Sequence, residues 1–259
     1  MSWLEDGTSR IYFEDAGKGS ESVLLLPGLT DSIEAHSPLR QALIKAGFRV
    51  ISADIPGSGR SQPQPRVYSA TYFEEDASSF AALLGHLGVE SAHLIGFSDG
   101  GEVALLMAEL YSSTARSVIT WGSAGQLSDP SGQLRESLYN VIDAPIVPLQ
   151  EFSQHLISTY GKDNARATTQ NAVRAMTEII ETRGGDLSLS RADTIKCPVL
   201  LVAGEHDPFA PSPLLAQLAA RIPAARMIEV KEAGHDVHLS HAEWLIETAL
   251  GWLEQQERA

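Results

Sequence analysis

Six short runs of aliphatic and β-branched residues punctuate this chain, at 23–26, 49–53, 93–97, 117–121, 198–202 and 226–230, and most of them end near Gly, Pro or Asp. Between the first four lie segments of helical periodicity. The clearest is 72–87, where Phe73, Ala77, Phe80, Leu84 and Leu87 fall on one stripe behind an acidic start, Glu74-Glu75-Asp76, that complements the helix dipole. Strands alternating with helices predict an α/β fold, a mostly parallel twisted sheet with helices on both faces. Residues 9–14 read as an antiparallel edge strand.

The alternation breaks at 126–191, where 134–141, 149–160 and 165–180 read as successive helices without strands between them. A loop of that length needs structure of its own in a compact domain. The expectation is one core domain, 1–125 and 192–259, with a helical cap inserted at 126–191 over the carboxyl ends of the strands.

Nineteen Lys plus Arg face thirty-three Asp plus Glu, a net charge of -14 that repels nucleic acid phosphates and anionic lipid, so neither is an expected partner. The same acidity serves solubility and attracts cationic small molecules. A single cysteine, Cys197, excludes an internal disulfide and a multi-cysteine metal site; it reads as a packing residue. The acidic start and the lack of any apolar run of bilayer length point to a cytoplasmic protein. Oligomeric state is not written in these features.

The chemistry concentrates around Gly96-Phe97-Ser98-Asp99-Gly100, which follows the strand-like His93-Leu94-Ile95 and precedes a helix-like segment from Glu102 to Leu110. A G-x-S-x-G on such a turn holds its serine in a strained backbone conformation, and Gly96, Gly100 and Gly101 leave room around it. Ser98 is the candidate nucleophile. A serine hydroxyl needs a base, and the base a carboxylate. Asp207, in the loop after the run 199–203, is the candidate acid, with Glu205 as fallback; His235, after Gly234, is the candidate base. His238 and His241 follow closely, but without an HExxH pattern or clustered cysteines no metal site is expected. The oxyanion needs two backbone donors: the N–H of Asp99 and, from Pro27-Gly28-Leu29, that of Leu29.

These motifs, in this order, resemble the α/β-hydrolase superfamily over nearly the whole chain, and Asp54-Ile55-Pro56-Gly57-Ser58-Gly59-Arg60-Ser61 looks like its D-x-x-G-x-G-x-S turn. The likeness is greatest to the valacyclovir-hydrolase or biphenyl-hydrolase-like branch, through Leu24-Leu25-Leu26-Pro27-Gly28, Gly96-Phe97-Ser98-Asp99-Gly100-Gly101 and Trp121-Gly122. Pro56 departs from it, where that branch usually has Arg, and 131–185 has no recognisable counterpart. The resemblance implies a serine hydrolase acting on small carboxylic esters through an acyl-enzyme, without a cofactor, with α-amino-acid esters as substrates. Asp99 fits that substrate class as an ammonium-binding carboxylate; capping the following helix is the competing reading. Carbon-carbon bond hydrolysis, lactonase or perhydrolase activity on the same triad, and a non-catalytic ligand-binding role, remain the alternatives.

Overall fold

In the computed structural model, residues 2–7 and 9–257 are described. They form β1 (Ser2–Asp6), β2 (Ser9–Ala16), β3 (Ser22–Leu26), α1 (Ser37–Lys45), β4 (Arg49–Ala53), α2 (Tyr72–His86), β5 (Ala92–Phe97), α3 (Asp99–Leu110) and β6 (Ala115–Trp121). Then come α4 (Gln133–Tyr139), α5 (Gln150–Tyr160), α6 (Lys162–Arg183), β7 (Val199–Gly204), α7 (Ser212–Arg221), β8 (Ala225–Val230), α8 (Val237–Ser240) and α9 (Ala242–Glu257). The strands make one sheet in the order β1-β2-β4-β3-β5-β6-β7-β8, parallel from β4 to β8 and antiparallel at β1 and β2.

Strand alternation sends Leu24 and Leu26 to one face, against α2, α3 and α7, and Val23 and Leu25 to the other, against α1 and α9. All four are buried, as expected of a central strand covered on both sides. One detail differs from the sequence reading and one adds to it. The strand containing residues 9–14 is antiparallel but internal: β1 forms the edge, held by Trp3 packed edge-on to Tyr12 with Arg10 over its ring. Five residues with two charges give too little periodicity to announce such a strand. Asp76, read only as one of three charges complementing the helix dipole, is 1% exposed and forms a bidentate pair with Arg66 at 2.7 and 2.8 Å.

Helices α4 to α6 lie between β6 and β7. The base of this insertion is tied by an antiparallel bridge between Gln126 and Asp186, and Val141, Ile142, Leu156 and Ala165 give it a small core of its own. It touches the sheet domain through Tyr160, whose hydroxyl donates to the Thr30 carbonyl and accepts from the Gly59 N–H, both at 2.7 Å. Arg183 adds an ion pair to Glu74 at 2.6 Å.

Candidate active site

The turn from β5 into α3 sets Ser98 at φ 51° and ψ −119°, a left-handed conformation that costs a non-glycine residue about 1–3 kcal/mol. Its surroundings hold it there. The Ser98 N–H donates to the Trp121 carbonyl at 2.9 Å, while its own carbonyl accepts from Ser123 Oγ at 2.6 Å and the Glu102 N–H at 3.0 Å. A Cβ on Gly96 would overlap the Gly100 carbonyl, so only glycine permits this close return of the chain. Ser98 precedes α3 as its N-cap, yet its hydroxyl makes no capping bond and is free to turn elsewhere.

That hydroxyl lies 3.1 Å from His235 Nε2, and His235 Nδ1 lies 3.0 and 2.9 Å from the two carboxylate oxygens of Asp207. An ionised carboxylate only accepts, so Nδ1 carries the proton and the lone pair on Nε2 faces the Ser98 O–H. Burial alone would push Asp207 up, but the His235 ring and the N–H groups of Ala210 and Phe209 outweigh it and hold the carboxyl below its ordinary range. The two loops are joined independently of the triad, through Glu205 N–H to the Val230 carbonyl and His206 N–H to the Ala233 carbonyl. Glu205 itself faces outward, bonded to Lys231 and the Glu232 N–H.

The Gly28 backbone passes beside Ser98: a Cβ on Gly28 would sit 3.2 Å from Ser98 Cβ. Neither the Leu29 nor the Asp99 N–H donates to another described residue. For Asp99 this follows from its place as the first residue of α3, whose leading N–H groups have no partner within the helix. The loop bearing Leu29 is braced from the turn after β4. Asp54 accepts the Ile33 and Arg60 N–H groups at 2.8 Å, and Ser58 Oγ accepts the Thr30 N–H at 2.9 Å. The D-x-x-G-x-G-x-S turn is therefore a buttress for the loop beside Ser98.

A pocket of about 680 Å³, including its open mouth, leads from Ser98 beneath the insertion. Its wall joins Phe73 and Phe209 of the sheet domain to Leu134, Leu138, Met176 and Ile180 of the inserted helices. Three carboxylates reach it, those of Asp99, Glu102 and Asp129, against one guanidinium, Arg135, which is already paired with Asp129 at 3.1 Å. Burial pushes Asp99 up to about 7; the Tyr72 hydroxyl, donating to Oδ2 at 3.2 Å, works against that rise. Burial also lifts Glu102 to about 7, and its Oε1 has no hydrogen-bond partner among the described residues.

Glu102 and Tyr72 were not singled out from sequence. A carboxylate four residues after Ser98, directly before the apolar run Val103 to Ala108, was the available signal for Glu102. Tyr72 gave none, because contact with Asp99 depends on how α2 packs on α3. His241 stays outside the site, whereas His238 accepts the Trp121 N–H at 3.2 Å. Cys197 is half-buried, and burial raises its thiol to about 11.

A family model described as the alpha/beta hydrolase family matches residues 23–248. The human protein named serine hydrolase BPHL is 28% identical over 235 residues, covering 90% of this chain and 79% of its own. A 2-hydroxy-6-oxononadienedioate/2-hydroxy-6-oxononatrienedioate hydrolase of Burkholderia vietnamiensis is 29% identical, covering 93% of this chain and 90% of its own. Among solved structures, the enol-lactonase of Burkholderia xenovorans superposes with a TM-score of 0.77 at 22% identity, over 98% of this chain and 100% of its own. No described helix is long and apolar enough to cross a membrane.

Proposed function

The chain belongs to the alpha/beta hydrolase family, and on that premise we propose that it is a serine carboxylesterase acting on small esters, with esters of α-amino acids preferred. One observation carries the reading: Ser98 Oγ, His235 and Asp207 stand in hydrogen-bonded series at 3.1 and 2.9 Å. His235 takes the Ser98 proton as Oγ attacks the ester carbonyl, and Asp207 stabilises the imidazolium. The oxyanion is received by the N–H groups of Leu29 and Asp99. The leaving alcohol takes its proton from His235, and a water deprotonated by His235 then releases the acid. No step calls for a cofactor. Residues 126–191 act as a cap that limits which acyl groups reach Ser98.

The preference for an ammonium rests on the pocket's charge. Asp99 and Glu102 are buried carboxylates beside the reacting centre, and a cation there relieves their desolvation while an anion aggravates it. Carbon-carbon bond cleavage is the second reading, favoured by the relative from Burkholderia vietnamiensis, whose named substrates are dioates. The carboxylate-rich wall argues against a dianion.

The test is labelling of Ser98 by a fluorophosphonate, with Ser98→Ala as control, followed by kcat/KM on matched esters with and without an α-amino group and on a 2-hydroxy-6-oxo dienedioate. The reading predicts labelling and a clear preference for the amino ester. No labelling rejects the serine mechanism, and faster turnover of the dioate favours the second reading.

A further inference from the structure

Next to the Phe97 ring, the side chains of Asp31, His36 and His238 converge, and the reaction proposed above uses none of them. One ligand-type atom of each lies within 4.8 Å of the other two. His36 Nε2 is 3.8 Å from Asp31 Oδ2, and the His36 and His238 rings are 4.7 Å apart. His36 is 2% exposed, yet neither of its ring nitrogens has a hydrogen-bond partner among the described residues. A neutral imidazole always presents one donor and one acceptor, so a buried ring with both unmatched is an orphan that calls for a bound partner. Asp31 and His238 keep some exposure, which gives a small ion a way in.

The donor set indicates the class of ion. Two imidazoles and one carboxylate suit Zn²⁺, Co²⁺ or Ni²⁺, whereas Ca²⁺ and Mg²⁺ favour oxygen ligands. His238 Nδ1 accepts the Trp121 N–H, so its own proton sits on Nε2. Ligation through either nitrogen gives up that contact, one neutral hydrogen bond against three metal–ligand bonds.

We propose that Asp31, His36 and His238 bind a divalent transition-metal ion of the Zn²⁺ class, which clamps the loop between β3 and α1 to the segment between β8 and α9. The first of these segments carries Leu29 and the second His235. The Phe97 ring touches both histidines, its centroid 4.4 Å from that of His238 and 4.9 Å from that of His235. Occupancy therefore fixes the spacing of the oxyanion loop and the base without placing the ion on the substrate. Asp31 and His36 are positioning residues in this arrangement.

The experiment titrates Zn²⁺ and Co²⁺ into chelator-stripped full-length protein. Zn²⁺ affinity is read by competition with a chromophoric chelator, Co²⁺ coordination by its visible d–d absorption, and stability by the thermal midpoint. Wild type is expected to bind one equivalent, with the intense bands of low-coordinate Co²⁺ and a higher midpoint in Zn²⁺. Asp31→Asn and His36→Gln should each weaken Zn²⁺ binding at least about tenfold, while His241→Gln leaves it unchanged. Asp31→Asn alters a partly exposed side chain, so it decides the matter even if His36→Gln does not fold. Failure of wild type to bind, or binding as tight in Asp31→Asn as in wild type, overturns the proposal. These readouts need no turnover, so they stand apart from the esterase reading.

Discussion

The Tyr72 phenol donates to Asp99 Oδ2 at 3.2 Å, and so α2 contributes a hydrogen bond to the residue directly after the nucleophile. The bond favours ionised Asp99, whereas burial favours the neutral acid; with Asp76 raising the carboxyl and Arg66 and His235 lowering it, the outcome is about 7. Asp99 is thus poised near neutrality, and its charge is open to adjustment by the residues around it.

A pH dependence of substrate preference follows. Above about 7 Asp99 is ionised and attracts a cation; below it the acid is neutral and the attraction fades. The check uses a trimethylammonioacetyl ester and its uncharged 3,3-dimethylbutanoyl counterpart, since neither titrates. The ratio of their kcat/KM values cancels any pH effect common to both esters. It should rise with pH, half-complete near 7. Tyr72→Phe should move the half-point upward, because the bond it removes favours the charged form, and Asp99→Asn should shrink the rise to the part that Glu102 supplies.

Ser98, His235 and Asp207 should behave as one unit. Ser98→Ala is expected to lower kcat by about 10⁶-fold and Asp207→Asn by about 10⁴-fold. The double variant Ser98→Ala/His235→Ala should be no slower than Ser98→Ala alone. Rate constants on one activated ester check this, and additive losses would contradict a shared role.

Arg66 and Asp76 form a buried pair directly behind Tyr72, and Arg66 also donates to the Pro56 carbonyl at 3.0 Å. Asp76→Ala leaves the guanidinium buried and unpaired, at an expected cost of about 3–5 kcal/mol. Replacing both, as Arg66→Met/Asp76→Leu, should recover much of that loss. Urea unfolding of wild type and the two variants measures it.

Tyr160 pins α5 to both loops flanking the site, through Thr30 and Gly59. Tyr160→Phe should cost about 1–2 kcal/mol of stability. Because Thr30 follows Leu29, kcat should fall more than KM rises, which steady-state kinetics with a neutral ester would show.

Much of the site was legible in sequence because its parts are local. Gly96 through Gly100 specify a turn by backbone sterics, and Asp207 and His235 each sit just past a strand run, where α/β sheets gather their functional loops. Alternation of short apolar runs with helical periodicity was enough for the sheet and its two covered faces. The inner place of β2 was not legible, since it depends on pairing with a five-residue segment of no clear pattern.

The remainder required the fold. Asp76 reads from sequence only as a charge at a helix start; its burial and its pairing with Arg66, ten residues earlier in the chain, come from the fold. Asp99 reads from sequence as either an ammonium-binding carboxylate or a helix cap, and its buried environment and its bond to Tyr72 arise only when α2 packs on α3. His36 and His238 are two hundred residues apart and give no shared pattern, yet two loops at the same end of the sheet bring them ring to ring. Local backbone geometry and periodicity were enough to mark the secondary elements, the turn at Ser98 and the order of Ser98, Asp207 and His235 along the chain. Tertiary structure alone decided burial, the partners of each charge and the shape of the pocket, because desolvation and contact depend on which distant segments close over a residue.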